Sequence, residues 1–304
     1  MDASSVLQSV SEINKQISKA MKPFLKDLES IQRQYAPILK KMSQWAEEYT
    51  NFKEYILSEW AALDEELKTK NRYFPESSFI EIFEEFCVLE YLYSIVSTQE
   101  ELYRARIYNK QDDTEKGIEF QGYGKAGSDA PPPSYSGIGR GNPNGISYLY
   151  TAQDLDTAIS EIQPNVGQMV SVAKIKLTEE IKIFDFDRIF ENEEYTEDSH
   201  EEFQKRARNS VYGVFRFFSI MSEIFSTPSK GDSTNYYATQ YISEFIKKKG
   251  YDGIRFKSSL NKNGSNIVLF DVSKEGRKYE IISSSLHEIE EVKVKSKNVE
   301  ESLL

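Results

Sequence analysis

The chain has 304 residues, of which 39% are hydrophobic and 29% charged, and its formal net charge at pH 7 is −11. This composition supplies a core for one or two domains, and the acidic balance argues against a nucleic acid or an anionic membrane as the main partner. Since no apolar run is long enough to span a bilayer and the first residues lack the basic start and apolar core of a signal peptide, we expect a cytoplasmic protein.

Residues 1–98 have the sequence pattern of helices. Apolar side chains recur at alternating steps of three and four from Ile17 to Leu67, which is a heptad-like stripe that Pro23 and Pro37 interrupt. A second helix is predicted from 77 to 96. Because such a stripe must be covered, we expect a helical domain that forms a homo-oligomer, with packing on the chain's own C-terminal domain as the alternative.

The chain contains one cysteine, Cys87, and two histidines, His200 and His287. A single cysteine excludes an internal disulfide and a cysteine metal site, and two histidines are too few for a histidine-rich one. Cys87 lies in the stretch IFEEFCVLEYL, which predicts a thiol buried in the core. We therefore expect no metal centre.

Alternation with a period of two begins near residue 100. Tyr103, Ala105 and Ile107 alternate with Arg104 and Arg106, which predicts a strand over 102–108. Two arginines on one strand face of so acidic a chain indicate an anion site. The alternative is a pair of surface charges matched to nearby acids.

Residues 109–145 are rich in Gly and Pro and end in the loop GIGRGNPNG, which contains Arg140 and Asn142. Long loops inside a domain are more often functional or mobile than structural, so we interpret this one as an active-site loop. A short strand that includes Tyr150 is predicted from 146 to 151. The loop, the strand and the next helix would bring a cation, an aromatic ring and an acid close together.

The helix after this strand carries an acid at the edge of its apolar face. Thr151 and Asp154 fit a capping box at its start, and Pro164 ends it. Its apolar residues recur at helical spacing, and they are Leu155, Ala158, Ile159 and Ile162. Glu161 lies about 100° from the centre of that stripe, where it can be partly buried and still reach a cleft. The alternative is a solvated residue near a helix end.

The rest of the chain alternates between strand and helix patterns. Strands are predicted at 169–177, 181–186, 252–256, 267–272 and 278–283, and helices at 203–225 and 236–249. Ser258 and Ser259 follow the strand at 252–256, and without a nucleophile-elbow motif we interpret them as binding hydroxyls. These patterns predict an α+β fold in which a mixed β core over 99–294 follows the helical part, with a charged tail at 295–304.

Three blocks of the sequence together resemble the RES domain, a family named for an Arg, a Glu and a Ser. LYRARI at 102–107 resembles its opening block, and GRGNPNG, SYLYTA and AISEI resemble its central block. The stretch YDGIRFKSSLNKNGSNIVLF at 251–270 resembles its closing block. Glu161 follows Tyr150 by 11 residues, which also fits the family pattern. The resemblance covers roughly 100–275, and three ordered blocks make it specific.

The resemblance implies an ADP-ribosyltransferase-like fold and an intracellular toxin or anti-phage effector that consumes NAD as its substrate, with no further cofactor. It implies catalytic roles for Glu161, Arg104, Tyr150 and Ser258, and binding roles for Arg140, Asn142, Arg106 and Ser259. Arg104 matches the family's first arginine better than Arg106 does, and Ser258 matches its serine better than Ser259.

Several functions share this residue set. Cleavage of the nicotinamide–ribose bond can pass ADP-ribose to water, to phosphate or to a macromolecule, so a glycohydrolase, a phosphorylase and an ADP-ribosyltransferase all stay open. A non-catalytic nucleotide sensor is the alternative from another class, although a sensor has less need of Glu161. Compact RES toxins are typically neutralised by a DNA-binding antitoxin. The extra N-terminal residues and the lack of a helix-turn-helix pattern here favour a larger, self-regulated effector over that pairing.

Overall fold

The computed structural model describes residues 52–87, 93–109, 122–187, 210–227 and 236–292. Most of the heptad-like stripe, the start of the helix predicted at 203–225 and the charged tail lie outside these residues. The homo-oligomer predicted from that stripe stays a prediction.

The described elements mix helices and strands. The helices are α1 (Phe52–Thr69), α2 (Ser78–Cys87), the short α3 (Lys125–Ser128), α4 (Leu155–Glu161), α5 (Ser210–Ser226) and α6 (Tyr237–Lys248). The strands are β1 (Tyr93–Val96), β2 (Glu101–Ile107), β3 (Leu149–Ala152), β4 (Met169–Leu177), β5 (Ile181–Asp185), β6 (Gly253–Lys257), β7 (Ser265–Leu269) and β8 (Tyr279–Glu288). The predicted α+β fold is thereby confirmed. Among the described helices, none has the length and apolar character needed to cross a membrane.

All eight strands form one sheet in the order β1-β5-β6-β7-β3-β2-β4-β8, in which β5 and β6 are parallel and the other pairs antiparallel. Strands β4 and β5 follow each other across a short turn, yet four strands separate them in the sheet. In a flat sheet that separation is about 24 Å, whereas the four Cα steps from Leu177 to Ile181 span at most about 14 Å. The sheet must therefore curve back on itself.

The inside of this curve is one apolar cluster. Ile175 and Leu177 of β4 and Ile181 and Ile183 of β5 belong to it, and all four are buried. Alternation along each strand directs the cluster to one face of the sheet and leaves the other face for the helices. Burial of both faces by apolar residues is the main stabilising contribution that the sequence offers.

The two halves of the sheet meet at a weak seam between β2 and β3. These strands are joined by one residue pair, Tyr103 with Ala152, whereas seven pairs join β2 to β4. Helix α4 covers the seam. Its residue Ala158 packs in a cluster with Ala105 and Ala152, and the partly buried Leu155, Ile159 and Ile162 pack against that cluster. The apolar helix face predicted from the sequence is confirmed.

Two local predictions were wrong. The helix predicted from 77 to 96 ends at Cys87, and Tyr93–Val96 is a strand that pairs with β5 at the edge of the sheet. Thr151 does not cap α4, because it lies in β3 and its hydroxyl donates to the Ile267 carbonyl at 2.8 Å. The domain boundary predicted at residue 98 stays a prediction.

Aromatic side chains fill the space between the sheet and the helices. Phe184 of β5 is fully buried, and its ring centroid lies 5.8 Å from Phe83, 5.7 Å from Phe218 and 5.0 Å from Phe186. Phe184 therefore links the outer half of the sheet to two helices.

Cys87 is buried near the end of α2, as predicted, and burial raises the pKa of its thiol well above the usual range.

We expect Phe184→Ala to lower the free energy of unfolding by about 3–5 kcal/mol, because the surrounding rings cannot collapse into the cavity. Phe74→Ala makes the same change at a ring that is 81% exposed. It should alter stability by less than about 0.5 kcal/mol. Urea unfolding of both variants measures the difference, and equal effects would contradict this assignment of the core.

Candidate functional site

A cleft of about 370 Å³ opens along the seam between β2 and β3. Thirteen residues from both halves of the sheet, the Gly-rich loop and two helix ends line it: Tyr103, Arg104, Ala105, Arg140, Tyr150, Thr151, Ala152, Ala158, Glu161, Ile162, Tyr236, Phe256 and Asn266. Four of the eight residues predicted for the site are in this set, namely Arg104, Arg140, Tyr150 and Glu161. The structure brings them together from distant parts of the sequence.

The carboxylate of Glu161 is held by two donors on one of its oxygens. Glu161 is the last residue of α4, and its Oε1 accepts the Ser258 hydroxyl at 2.6 Å and the Asn266 amide at 2.7 Å. Ser258 and Asn266 are both nearly buried. Glu161 itself is exposed, which differs from the partly buried position expected from its place on the helix. One oxygen is thus fixed on the wall of the cleft while the side chain stays open to it.

The direction of the hydrogen bond between Ser258 and Glu161 follows from the other contacts of Ser258. Its Oγ accepts the backbone N–H groups of Leu260 at 3.1 Å and Asn261 at 3.0 Å. A hydroxyl has two acceptor positions and one proton, so both acceptor positions are filled and the proton must point to Glu161. Asn266 also donates from its amide nitrogen. Oε1 of Glu161 therefore accepts hydrogen bonds from both side chains.

A second contact one helical turn earlier fixes α4 to the loop after Ser258. Asn261 donates to the Thr157 hydroxyl at 2.8 Å, and Thr157 lies four residues before Glu161 on the same helix face. Asp154 caps the helix, since its carboxylate accepts the Thr157 backbone N–H at 2.8 Å. These contacts hold Glu161 and Ser258 in register through rigid elements.

Arg104 lies in the gap where β2 and β3 separate. Its Nη1 donates to the Tyr150 carbonyl at 3.4 Å, and its buried Nε has no hydrogen-bond partner among the described residues. Burial, with the nearby Arg106 as the next cause, lowers the pKa of Arg104 to about 10. A partly buried cation with an unsatisfied donor is stabilised by an anion that enters the cleft.

Arg140 is held at the opposite wall by the C-terminus of α5. Its Nη1 donates to the Phe225 carbonyl and its Nη2 to the Thr227 carbonyl at 3.0 Å. Carbonyls at a helix C-terminus lack partners within the helix and carry partial negative charge, so they attract a guanidinium. The buried Nε of Arg140 has no partner within the described part of the chain. Arg140 also lines the cleft, so its positive charge faces whatever enters there.

Tyr150 places its ring in the cleft and commits its hydroxyl to the Gly-rich loop. The hydroxyl donates to Asn142 Oδ1 at 2.6 Å and accepts the Gly141 N–H at 3.0 Å. Burial raises the pKa of Tyr150 to about 12, so the phenol is protonated at neutral pH. The hydroxyl is used for structure, and the ring face is the part that a ligand can contact.

Asn142, which was predicted to bind the substrate, does not line the cleft. It is buried outside the cleft, and its amide donates to the carbonyls of Gly137 at 3.0 Å and Ile146 at 2.8 Å. With the Tyr150 hydroxyl on its oxygen, its polar atoms are all occupied by the loop. Asn142 therefore shapes the loop that carries Arg140 and does not face a ligand.

Helix α6 fastens the same loop from the other side. Gln240 donates to the carbonyls of Gly139 at 2.8 Å and Asn142 at 3.0 Å, and Thr239 donates to the Arg140 carbonyl at 2.7 Å. Sequence reasoning missed both helix residues. Their signal is two polar side chains on the buried face of an amphipathic helix, which need partners inside the protein.

Two more predicted residues lie away from the cleft. Arg106 is exposed, donates to the Gly127 carbonyl, and its guanidinium carbon lies 4.5 Å from the centre of the Tyr123 ring. Ser259 is also exposed and does not line the cleft. Ser258 is likewise absent from the lining, but it reaches the site through Glu161. The preference for Arg104 over Arg106 and for Ser258 over Ser259 agrees with these positions.

Asn266 was not predicted from the sequence. It lies on β7, where the register sets it opposite Ala152 and Phe256, and so on the face of the sheet that forms the cleft. The detectable signal is an amide inside the apolar run SNIVLF. Tyr103, Tyr236 and Phe256 were also missed, and together with Tyr150 they give the cleft aromatic walls.

The comparison with protein-family models agrees with the family resemblance. The family model of the RES domain matches residues 102–288, which is more than half of the chain and includes Arg104, Tyr150, Glu161 and Ser258. No curated protein is significantly similar in sequence. One similar solved structure is the crystal structure of the M. tuberculosis MbcT–MbcA toxin–antitoxin complex. Its matching chain is 12% identical, the match covers 62% of this chain and 84% of that chain, and the TM-score is 0.31.

We expect Gly139→Ala to loosen the Gly-rich loop, because a β-carbon there would overlap Asn142 Oδ1 and the Tyr150 hydroxyl. Gly137→Ala is the matched control, since nothing lies within 4 Å of its added carbon. Hydrogen–deuterium exchange measured by mass spectrometry should be faster over 139–150 in the first variant only. Unchanged exchange in Gly139→Ala would contradict the packing described for Tyr150.

Proposed function

The chain belongs to the RES domain family, and we propose that its cleft binds NAD and cleaves the bond between nicotinamide and ribose. The observation that carries the proposal is the carboxyl group of Glu161, fixed by two donors in a cleft that also holds two arginines with unsatisfied donors. Family membership supports a toxin-like, NAD-related function.

The reaction needs stabilisation of positive charge at one carbon. When the bond from ribose C1′ to the pyridinium nitrogen breaks, its electron pair goes to the nitrogen and nicotinamide leaves as a neutral molecule. C1′ and the ring oxygen share the positive charge in an oxocarbenium-like state. Water then bonds to C1′ and releases a proton to solvent, which yields ADP-ribose. Because the leaving group is neutral, this scheme requires no metal to assist its departure.

Glu161 is suited to stabilise that state. A carboxylate near C1′ gains more attraction as charge develops on the ribose than it has in the ground state, where the charge lies on nicotinamide. The side chain is exposed in the open cleft, where water screens its charge. A bound dinucleotide displaces that water and strengthens the interaction.

The two arginines are suited to the pyrophosphate. Arg104 and Arg140 line the same cleft, and each has a buried Nε without a partner among the described residues. Phosphate oxygens accept several N–H groups from a guanidinium at once. The Tyr150 ring and its aromatic neighbours supply flat surfaces on which a nicotinamide or adenine ring can stack.

Consumption of NAD would explain how the protein acts as a toxin. A cell that expresses the active protein loses a cofactor that it needs for metabolism, so growth should stop unless a partner restrains the enzyme. A separate antitoxin and control by the N-terminal helices are the two forms of restraint that the sequence suggested. Both are proposals for this chain.

We expect Glu161→Gln to lower NAD turnover by about 10²-fold or more, the scale of losing one electrostatic stabiliser. The substitution keeps the shape and removes the charge, so the Kd of NAD should change far less. Glu179→Gln is the control, because Glu179 is exposed on the turn between β4 and β5. The rate of nicotinamide release and calorimetric binding of NAD measure both quantities. Turnover at the parental rate in Glu161→Gln would reject the assignment.

We expect Arg104→Lys and Arg140→Lys each to weaken NAD binding by about tenfold or more, since lysine keeps the charge and loses the paired donors. Arg106→Lys should bind NAD like the parent, because Arg106 lies outside the cleft. Calorimetry on the three variants shows whether Arg104 or Arg106 of β2 contributes to NAD binding. Normal binding by both cleft variants would make these arginines structural.

The acceptor is identified from the products. Purified protein is incubated with NAD in the presence and absence of inorganic phosphate, and the products are measured by mass spectrometry. ADP-ribose in both samples indicates a glycohydrolase, and ADP-ribose 1″-phosphate in the phosphate sample indicates a phosphorylase. Intact NAD in every sample would refute the proposed reaction and favour the sensor.

A further inference from the structure

We propose that Asn266 is a positioning residue which, together with Ser258, fixes Oε1 of Glu161 and leaves Oε2 as the oxygen that faces the substrate. This inference rests on the proposed function for its consequence in catalysis. The positioning itself stands on geometry alone.

The placement of Asn266 is unfavourable unless its amide has a partner. It is 8% exposed and stands in β7 between residues that are all buried. Burying an amide without a hydrogen bond costs free energy, on the order of 1–3 kcal/mol. Among the described residues, the partner of its side chain is Oε1 of Glu161 at 2.7 Å. The amide therefore serves the carboxylate and no backbone group of the fold.

Glu161 needs such a partner because its carboxylate is otherwise free to rotate. The terminal torsion of a glutamate is broad and roughly two-fold, so the helix backbone does not determine where the two oxygens lie. A single hydrogen bond from Ser258 still permits the carboxylate to rotate about this terminal torsion. A second donor on the same oxygen, coming from another strand, removes this freedom and directs Oε2 away from both donors.

The chemical nature of Asn266 also fits this role. A lysine or arginine at the same position would hold the carboxylate equally well but would neutralise its charge. A neutral amide orients the carboxylate and leaves its negative charge for the developing oxocarbenium. Since a displacement of about 1 Å at a catalytic group can cost on the order of 10²-fold in rate, loss of the amide should be visible in turnover.

The kinetic test uses Asn266→Ala, which removes the donor, and Asn266→Leu, which keeps a similar volume and has no donor. We expect kcat for NAD to fall by about 10- to 100-fold in both, with KM changed by less than about threefold. Asn263→Ala is the matched control, because it deletes the same amide at an exposed position three residues away. A parental kcat in both Asn266 variants, or a loss confined to KM, would overturn the proposal.

A double-mutant cycle separates positioning from general damage to the fold. If Asn266 acts through Glu161, Asn266→Ala should lower kcat in the parent and change it by less than about threefold in the Glu161→Gln background. Equal losses in both backgrounds would show that Asn266 acts elsewhere. Thermal unfolding of each variant identifies any that fail to fold, and Asn266→Leu, which leaves a smaller cavity than Asn266→Ala, then supplies the cycle.

A crystallographic arm does not depend on turnover. In structures of the parent and of Asn266→Ala, the Glu161 carboxylate should rotate or lose order in the variant while α4 keeps its position. An unchanged carboxylate overturns the proposal even if the enzyme consumes NAD. If the carboxylate moves in Asn266→Ala but the parent protein leaves NAD intact, the positioning role is supported and the proposed reaction is rejected.

Discussion

The short turn between β4 and β5 is the constraint on which the site depends. It forces two strands that lie far apart in the sheet order to meet at one end, so the sheet curves and its two halves share one apolar interior. Pairing within the sheet is weakest between β2 and β3, which keep one residue pair. The cleft is the opening that this loosened seam leaves, and α4 is the element that covers the rest of it.

Residues at the seam replace the missing backbone pairing with side-chain contacts. Arg104 donates to the Tyr150 carbonyl across the gap, and the Tyr150 hydroxyl donates to Asn142 in the Gly-rich loop. Helix α6 then fastens that loop through Gln240 and Thr239. Each contact uses a polar group that is partly or fully removed from water, where hydrogen bonds are costly to break. The site is thus rigid without continuous strand pairing.

Local patterns predicted the elements, and ordered motifs predicted which elements meet. Alternation located β2 and β4 within one residue, and helical spacing identified the buried face of α4. Glu161, Arg104, Arg140 and Tyr150 were predicted together because three family motifs agreed in order. Sequence reasoning could not assign Asn266, because its role depends on a register with Ala152 that joins residues more than 100 positions apart. Asn142 and Arg106 were also predicted to bind the substrate. Their polar groups are occupied by local contacts, which composition does not reveal.

The charged side chains in the cleft are not paired with one another. In the described part of the chain neither Arg104 nor Arg140 forms an ion pair with Glu161, although all three line the same cleft. An arginine paired with Glu161 would cancel the charge that an oxocarbenium needs and the donors that a pyrophosphate needs. Backbone carbonyls hold both arginines instead, and a neutral hydroxyl and a neutral amide hold the carboxylate. Each charged group is therefore fixed by partners that leave its charge available, which is the arrangement that the proposed electrostatic catalysis requires.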